Sequence, residues 1–178
     1  MLTINLKINN REVGPYQVPP DLMMIQFLHE YVNLTGTKFG CGIGVCHACV
    51  IVEKDESKNS YQTYRSCITG VSQFKDKSIY TVEGHARVNE RSGLLELHPV
   101  QQVFIEEFAF QCGWCTPGFV NQSIVFYEQC RQHPIAPSQV ESAIEATLNN
   151  HLCRCTGYIR YFSALKKLIL STPGLTIT

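Results

Sequence analysis

The sequence predicts an α+β chain in two successive halves: a small sheet with one helix over residues 1–83, then an all-α four-helix bundle over 84–178. Two observations carry that expectation. Apolar residues alternate at period two from the start, the mark of a half-buried strand. From Leu94 onward, prolines and capping side chains punctuate apolar runs of helical period. With 178 residues, 44% of them hydrophobic, the chain has material for a buried core in each half.

Leu2, Ile4, Leu6 and Ile8 form the first strand, Asn9-Asn10 supply a turn, and a second strand runs to Val18, where Pro19-Pro20 stop it. Asp21 then caps a helix whose apolar residues are Leu22, Ile25, Leu28 and Val32. After a glycine-rich loop, residues 49–52 read as a buried strand and 54–60 as a polar turn. Residues 61–67 and 78–82 read as further strands, and 84–93 join the halves. Residues 98–110 read as a helix with Val103, Phe104 and Phe108 on one side, and Phe110 joins Phe104 and Phe108 in the expected core. Thr116 caps the next helix, with Pro117 as its first residue and His133-Pro134 as its stop. Ser138 and Glu141 form a capping box for a helix to Leu148. Ile159, Phe162, Leu165 and Ile169 make the apolar face of the last helix.

Fifteen basic and fifteen acidic residues leave no net charge, which removes the simplest electrostatic case for binding nucleic acid. No apolar run approaches the roughly 18 residues of a membrane span, so no direct membrane insertion is expected. The opening MLTINLKINN has neither the basic and apolar regions of a secretory signal nor twin arginines. Cytoplasmic residence is therefore expected, or periplasmic residence if a partner's signal exports a folded complex.

Nine cysteines stand out against this background. An odd number, without an export signal, points away from a disulfide framework and toward thiolates that hold metal. Cys41, Cys46 and Cys49 form C-x4-C-x2-C, with Cys67 further on, the plant-type [2Fe–2S] ligand spacing. Gly40, Gly42 and Gly44 let the backbone wrap closely and aim N–H groups at sulfur. Structural zinc also uses four cysteines, usually as paired C-x2-C knuckles, and only Cys46 and Cys49 make such a pair. Cys112 and Cys115 in QCGWC, with Cys153 and Cys155 in CRC, form a second set. Taken alone, Cys112 and Cys115 are compatible with thioredoxin chemistry, zinc or iron–sulfur. The helical surroundings lack the strand-to-helix setting of a thioredoxin, and a disulfide between Cys153 and Cys155 would be strained.

Together, TGTKFGCGIGVCHAC, Cys67, QCGWCTPGF and NHLCRCTGY span nearly the whole chain. In these motifs the chain resembles the iron–sulfur subunit of the molybdenum hydroxylases, of the xanthine dehydrogenase and aldehyde oxidoreductase type. The resemblance implies an N-terminal ferredoxin-like β-grasp domain and a C-terminal helical domain, each with one [2Fe–2S] cluster. It implies Cys41, Cys46, Cys49 and Cys67 as ligands of the first, and Cys112, Cys115, Cys153 and Cys155 as ligands of the second. It also implies that Gln111 and Cys155 meet a molybdopterin cofactor held by a separate large subunit. Electrons would pass from molybdenum through the second cluster, then the first, to a flavin subunit or a cytochrome or other haem acceptor. No residue of this chain is then expected to be catalytic itself. The competing reading is a free-standing two-cluster ferredoxin.

The chain departs from the family pattern at His47, where glycine is usual, and a solvent-facing histidine beside an intact site is expected there. Cys130 is expected to fill core. His29, His85, His98, His133 and His151 show no ligand-like pairing in sequence.

Overall fold

The structure, a computed structural model, describes residues 1–177. Strands β1 (Leu2–Ile8), β2 (Arg11–Val18), β3 (Val50–Asp55), β4 (Ser60–Arg65) and β5 (Ser78–Tyr80) form one mixed sheet in the order β2-β1-β5-β3-β4. β1 and β5 run parallel at its centre and the other pairings are antiparallel. Asn9 and Asn10 both take positive φ, 52° and 65°, which gives the tight β1–β2 turn the twist that its strands need. Ile4, Leu6 and Ile8 face inward from β1 against Phe27, Leu28 and Phe74. This is the small sheet that the alternation predicts, in the ferredoxin-like arrangement that the resemblance implies.

The second half contains helices α2 (Pro99–Glu106), α3 (Thr116–Gln132), α4 (Val140–Leu148) and α5 (Ile159–Ser171), following the short α1 (Met24–Gln26) of the first half. Phe104, Phe119, Ile144, Leu148, Tyr161 and Leu165 anchor their shared core. Cys130 is buried there as expected, and burial pushes its thiol up to about 11.

Several local expectations are corrected. Asp21 does not cap: α1 starts at Met24, where the Gln26 side chain accepts from Met23 N at 3.3 Å, and it continues as a π-helical turn, Phe27–Tyr31. β3 and β4 extend into the expected polar turn and leave only residues 56–59 between them. A small hairpin, β6 (Arg87–Val88) with β7 (Leu95–Glu96), stands where no strand was expected. His98 caps α2 by accepting from Val100 N at 3.2 Å, and the helix stops early because Phe108 turns to φ 47°. Phe108 is consequently 69% exposed and Phe110 36% exposed, so only Phe104 of the three belongs to the core. Thr116 is the first residue of α3 rather than its cap. At α4 a 3-10 turn, Pro137–Gln139, intervenes, and Gln139 rather than Ser138 satisfies the leading backbone N–H, that of Ala136. α5 buries Tyr161, Ala164, Leu165 and Ile169, while Ile159 is 72% exposed.

The two halves meet where α3 crosses β3 and β4. Gly118 makes that approach possible, since a Cβ there would lie 2.1 Å from the carbonyl oxygen of His47. Asn121 Nδ2 donates to Val50 O at 2.6 Å, which leaves its Oδ1 to accept from His85 Nε2 at 2.9 Å. His85 stacks on Tyr80, faces His98 and Glu128, and is held neutral by burial, its pKa lowered to about 4.

The sign of the resulting pH dependence is fixed. A histidine whose folded pKa lies below its ordinary value binds its proton more tightly when unfolded, so its contribution is complete above 6.5 and is lost as pH falls toward 4. Between about pH 7 and about pH 5 this one group should cost the fold about 2 kcal/mol. Thermal unfolding of the cluster-loaded protein should show that loss, and His85→Gln should reduce it.

Candidate metal centres

The first cysteine set sits on the loop before β3 and at the end of β4. Gly42 and Gly44 take φ of 70° and 73°, and the coil they create aims backbone N–H groups of Val45 and Cys46 at Cys41 Sγ, 3.3 and 3.4 Å away. These donors, that of Cys46 foremost, bring the Cys41 thiol down to about 6. The antiparallel pairing of β3 with β4 sets Cys49 beside Cys67. Ser66 fastens that junction through its N–H and hydroxyl, both donated to Cys49 O, at 3.2 and 2.8 Å. Burial pushes the Cys49 thiol up to about 12. The sulfurs therefore associate as Cys41 with Cys46 and Cys49 with Cys67, the first pair half-buried and the second buried.

The second set lies where the loop into α3 meets the loop into α5. Cys112 and Cys155 have sulfurs 3.6 Å apart and are exposed, while Cys115 and Cys153 pair beneath them and are buried. Burial raises the Cys115 thiol to about 12. Burial also opposes ionisation of Cys153, but Thr156 outweighs it: its hydroxyl lies 3.0 Å and its N–H 3.4 Å from Cys153 Sγ, and the thiol falls below its ordinary value. Tyr161 Oη lies 3.6 Å from Cys115 Sγ. Gln111 is exposed next to Cys112.

Among the described residues, no three His, Cys, Asp or Glu side chains are arranged to hold a single metal ion. The pairwise association suits a binuclear group in which each of two irons takes two thiolates, and the N–H and O–H donors suit its negative charge. The eight cysteines of the sequence reading thus fall into four pairs, Cys41 with Cys46, Cys49 with Cys67, Cys112 with Cys155 and Cys115 with Cys153.

The groups are joined through the backbone. Leu152 N, one residue before Cys153, donates to Cys46 O at 3.1 Å. Trp114 Nε1, one residue before Cys115, donates to Phe39 O at 3.2 Å, with Lys38 Nζ 5.7 Å from the indole centroid. His47 is half-buried rather than solvent-facing. It adopts φ 59° itself, and its ring packs edge-on to His151 with centroids 5.0 Å apart. Burial, then the Arg65 charge, lowers its pKa. Histidines unpaired in sequence are therefore neighbours in space, as His85 and His98 also are.

Sequence reasoning missed four contributors. Tyr161 stands outside the apolar series first read on α5, Thr116 was assigned to capping, and Thr156 and Leu152 were given no role. A series through Tyr161, Ala164, Leu165 and Leu168, also at helical spacing, carried the signal for Tyr161.

Two family models match. One described as a 2Fe-2S iron-sulfur cluster binding domain covers residues 9–72, and one described as a [2Fe-2S] binding domain covers residues 81–166. Aldehyde oxidase 1 of Cavia porcellus is 36% identical over 160 residues, which make up 88% of this chain and 11% of that relative. The chain therefore spans about a tenth of the length of the curated relatives it matches. Among solved structures, quinoline 2-oxidoreductase from Pseudomonas putida 86 superposes with a TM-score of 0.76 and 32% identity, covering 98% of this chain and 93% of that one. The aldehyde oxidoreductase of Desulfovibrio desulfuricans ATCC 27774 superposes with a TM-score of 0.76 at 26% identity, covering 100% of this chain and 18% of that one. Two cysteine quartets, a ferredoxin-like sheet domain and a helical [2Fe–2S]-binding domain in one order place the chain in a family: it belongs to the two-cluster iron–sulfur components of the molybdenum hydroxylases.

Proposed function

We propose that this chain is the electron-transfer subunit of a molybdopterin-dependent hydroxylase or aldehyde oxidoreductase. Cys41, Cys46, Cys49 and Cys67 hold one [2Fe–2S] cluster in a domain of residues 1–83. Cys112, Cys115, Cys153 and Cys155 hold the other in a domain of residues 84–178. A large partner subunit carries the molybdenum cofactor and the substrate site. Gln111 and Cys155 meet the pterin, and a flavin or haem subunit accepts the electrons.

The observation that carries this reading is the asymmetric exposure of the second set. Cys112, Cys155 and Gln111 lie at the surface. Phe108, Trp114, Leu152 and Ile159, all exposed, come from the same two loops and the ends of the helices that flank them, and Arg160 ties α5 to that region by donating to Phe108 O at 3.2 Å. Exposed apolar side chains gathered on one face mark a protein interface, and these flank the two exposed cysteines in the chain. The similarity to quinoline 2-oxidoreductase, over 93% of that chain, supports a separate subunit of this size.

The clusters supply one-electron carriers, so a two-electron oxidation at the partner's molybdenum leaves in single steps. What this chain contributes is a short path. The Leu152 N–H to Cys46 O bond links the peptide before Cys153 directly to a residue of the first set. Affinity purification of the chain from its own host, followed by mass spectrometry, should recover a molybdopterin-binding subunit in stoichiometric amount. Gln111→Ala should weaken that association or perturb the molybdenum signal without changing iron content. Recovery of the chain alone, still active as a carrier, would support the free ferredoxin instead.

A further inference from the structure

The second site contains a side-chain device that the ligand set does not require. Tyr161 Oη lies 3.6 Å from Cys115 Sγ and 2.8 Å from Thr116 Oγ1. We propose that the Thr116 and Tyr161 hydroxyls form a relay ending on Cys115 Sγ, and that this relay raises the reduction potential of the cluster held there. The proposal rests on Cys115 being a ligand, as assigned above.

The direction of the relay follows from the chemistry. A thiolate bound to iron has no proton and can only accept, so the Tyr161 O–H must point at sulfur. The phenol oxygen is then free to accept from Thr116, whose hydroxyl is not used to cap α3. Donation by Thr116 polarises the phenol and strengthens its bond to sulfur.

Packing fixes the device before any charge arrives. The Tyr161 ring lies parallel to Phe119, with centroids 4.0 Å apart and planes at 2°, and edge-on to Phe104 at 5.3 Å. Tyr161 is 0% exposed and Cys115 9% exposed, so little water competes for the sulfur. In such a place a fixed donor is worth more than in solvent. Reduction brings in one electron, and part of its charge falls on the thiolates. A donor aimed at one of them therefore stabilises the reduced form more than the oxidised form. Thr156 performs the same service for Cys153 through its hydroxyl and its N–H, and the N–H cannot be deleted by a side-chain change. The Tyr161 hydroxyl can be removed by deleting a single oxygen.

The test is a redox titration of the cluster-loaded protein with dithionite as electron donor, following both [2Fe–2S] signals by electron paramagnetic resonance. Cys115→Ser first identifies the signal of the second site as the one lost or altered. If both signals persist unchanged in that variant, Cys115 is not a ligand and the ligand assignment itself fails. Tyr161→Phe keeps the aromatic stack and removes only the donor. It should reduce the reduced-to-oxidised ratio of that signal about tenfold at fixed potential, ~59 mV for one electron, and leave the other signal in place. Thr116→Val should move the same signal in the same direction by less, and Thr116→Ser should restore it. If Tyr161→Phe loses its cluster, the Thr116 pair decides the matter alone. An unchanged potential in Tyr161→Phe, equal shifts of both signals, or identical behaviour of Thr116→Val and Thr116→Ser would each overturn the relay.

Discussion

Cys49→Ala should cost the protein one of its two clusters and leave the other intact, reducing iron from about four to about two atoms per chain. Cys153→Ala should do the same at the other site. Cys49 pairs with Cys67 at the base of the first site, and Cys153 pairs with Cys115 at the base of the second. These four are the buried members of the two sets. Loss of a buried ligand cannot be made good by water as readily as loss of an exposed one. The buried pair of each site joins two different loops, so a bound cluster cross-links those loops and its binding energy becomes folding energy. Each variant should therefore also melt at lower temperature, Cys49→Ala through the sheet domain and Cys153→Ala through the helical domain. Iron analysis with spin quantitation checks this directly. Loss of both signals from either single variant would mean that the sites are not independent.

Gly118→Val should be the most damaging change outside the cysteines, destabilising the protein by about 3 kcal/mol or more. Its missing Cβ points at main chain rather than at a movable side chain: 2.1 Å to His47 O and 3.1 Å to Ala48 Cα. Neither atom can yield without disturbing the loop that carries Cys46 and Cys49. The same carbonyl region also feels α3 through the Asn121 bond to Val50 O and through His151 Nε2, which donates to Gly118 O at 3.2 Å. A bulge at residue 118 thus strains the domain junction and the first cluster loop together. Denaturation of the loaded protein should show the loss of stability, and the signal of the first site should broaden or weaken with it. Gly113, unlike the helical Gly118, has positive φ, 79°, and open space around its missing Cβ. Gly113→Ala should therefore cost only backbone strain, of order 1 kcal/mol.

What was legible in the sequence was local. The alternation from Leu2 to Ile8 and the Asn9-Asn10 turn are short-range signals, and the sheet reproduces them. The cysteine spacings are local too, three sulfurs within nine residues at the first site and two close pairs at the second. What was not legible depended on partners distant in sequence. Thr116 has the right chemistry for a cap, yet Tyr161, on another helix, takes its hydroxyl. Phe108 fits a helical series until the chain turns at it, and that turn leaves it exposed beside the second site. The neighbouring pairs His47 with His151 and His85 with His98 come from segments distant in sequence or joined by a long loop, each pair with a partner on α3. The face of α5 was read from its most apolar residues, which passed over an aromatic whose hydroxyl had a use.

Two clusters in this chain and a molybdenum partner outside it can be tested together in one measurement. The complex is isolated through this chain from its host, and iron and molybdenum are quantified in the same peak. The expected result is about four cluster irons for each molybdenum, with two distinct [2Fe–2S] signals. A peak containing this chain with its iron but no molybdenum-bearing subunit, or one with zinc in place of iron, would contradict it.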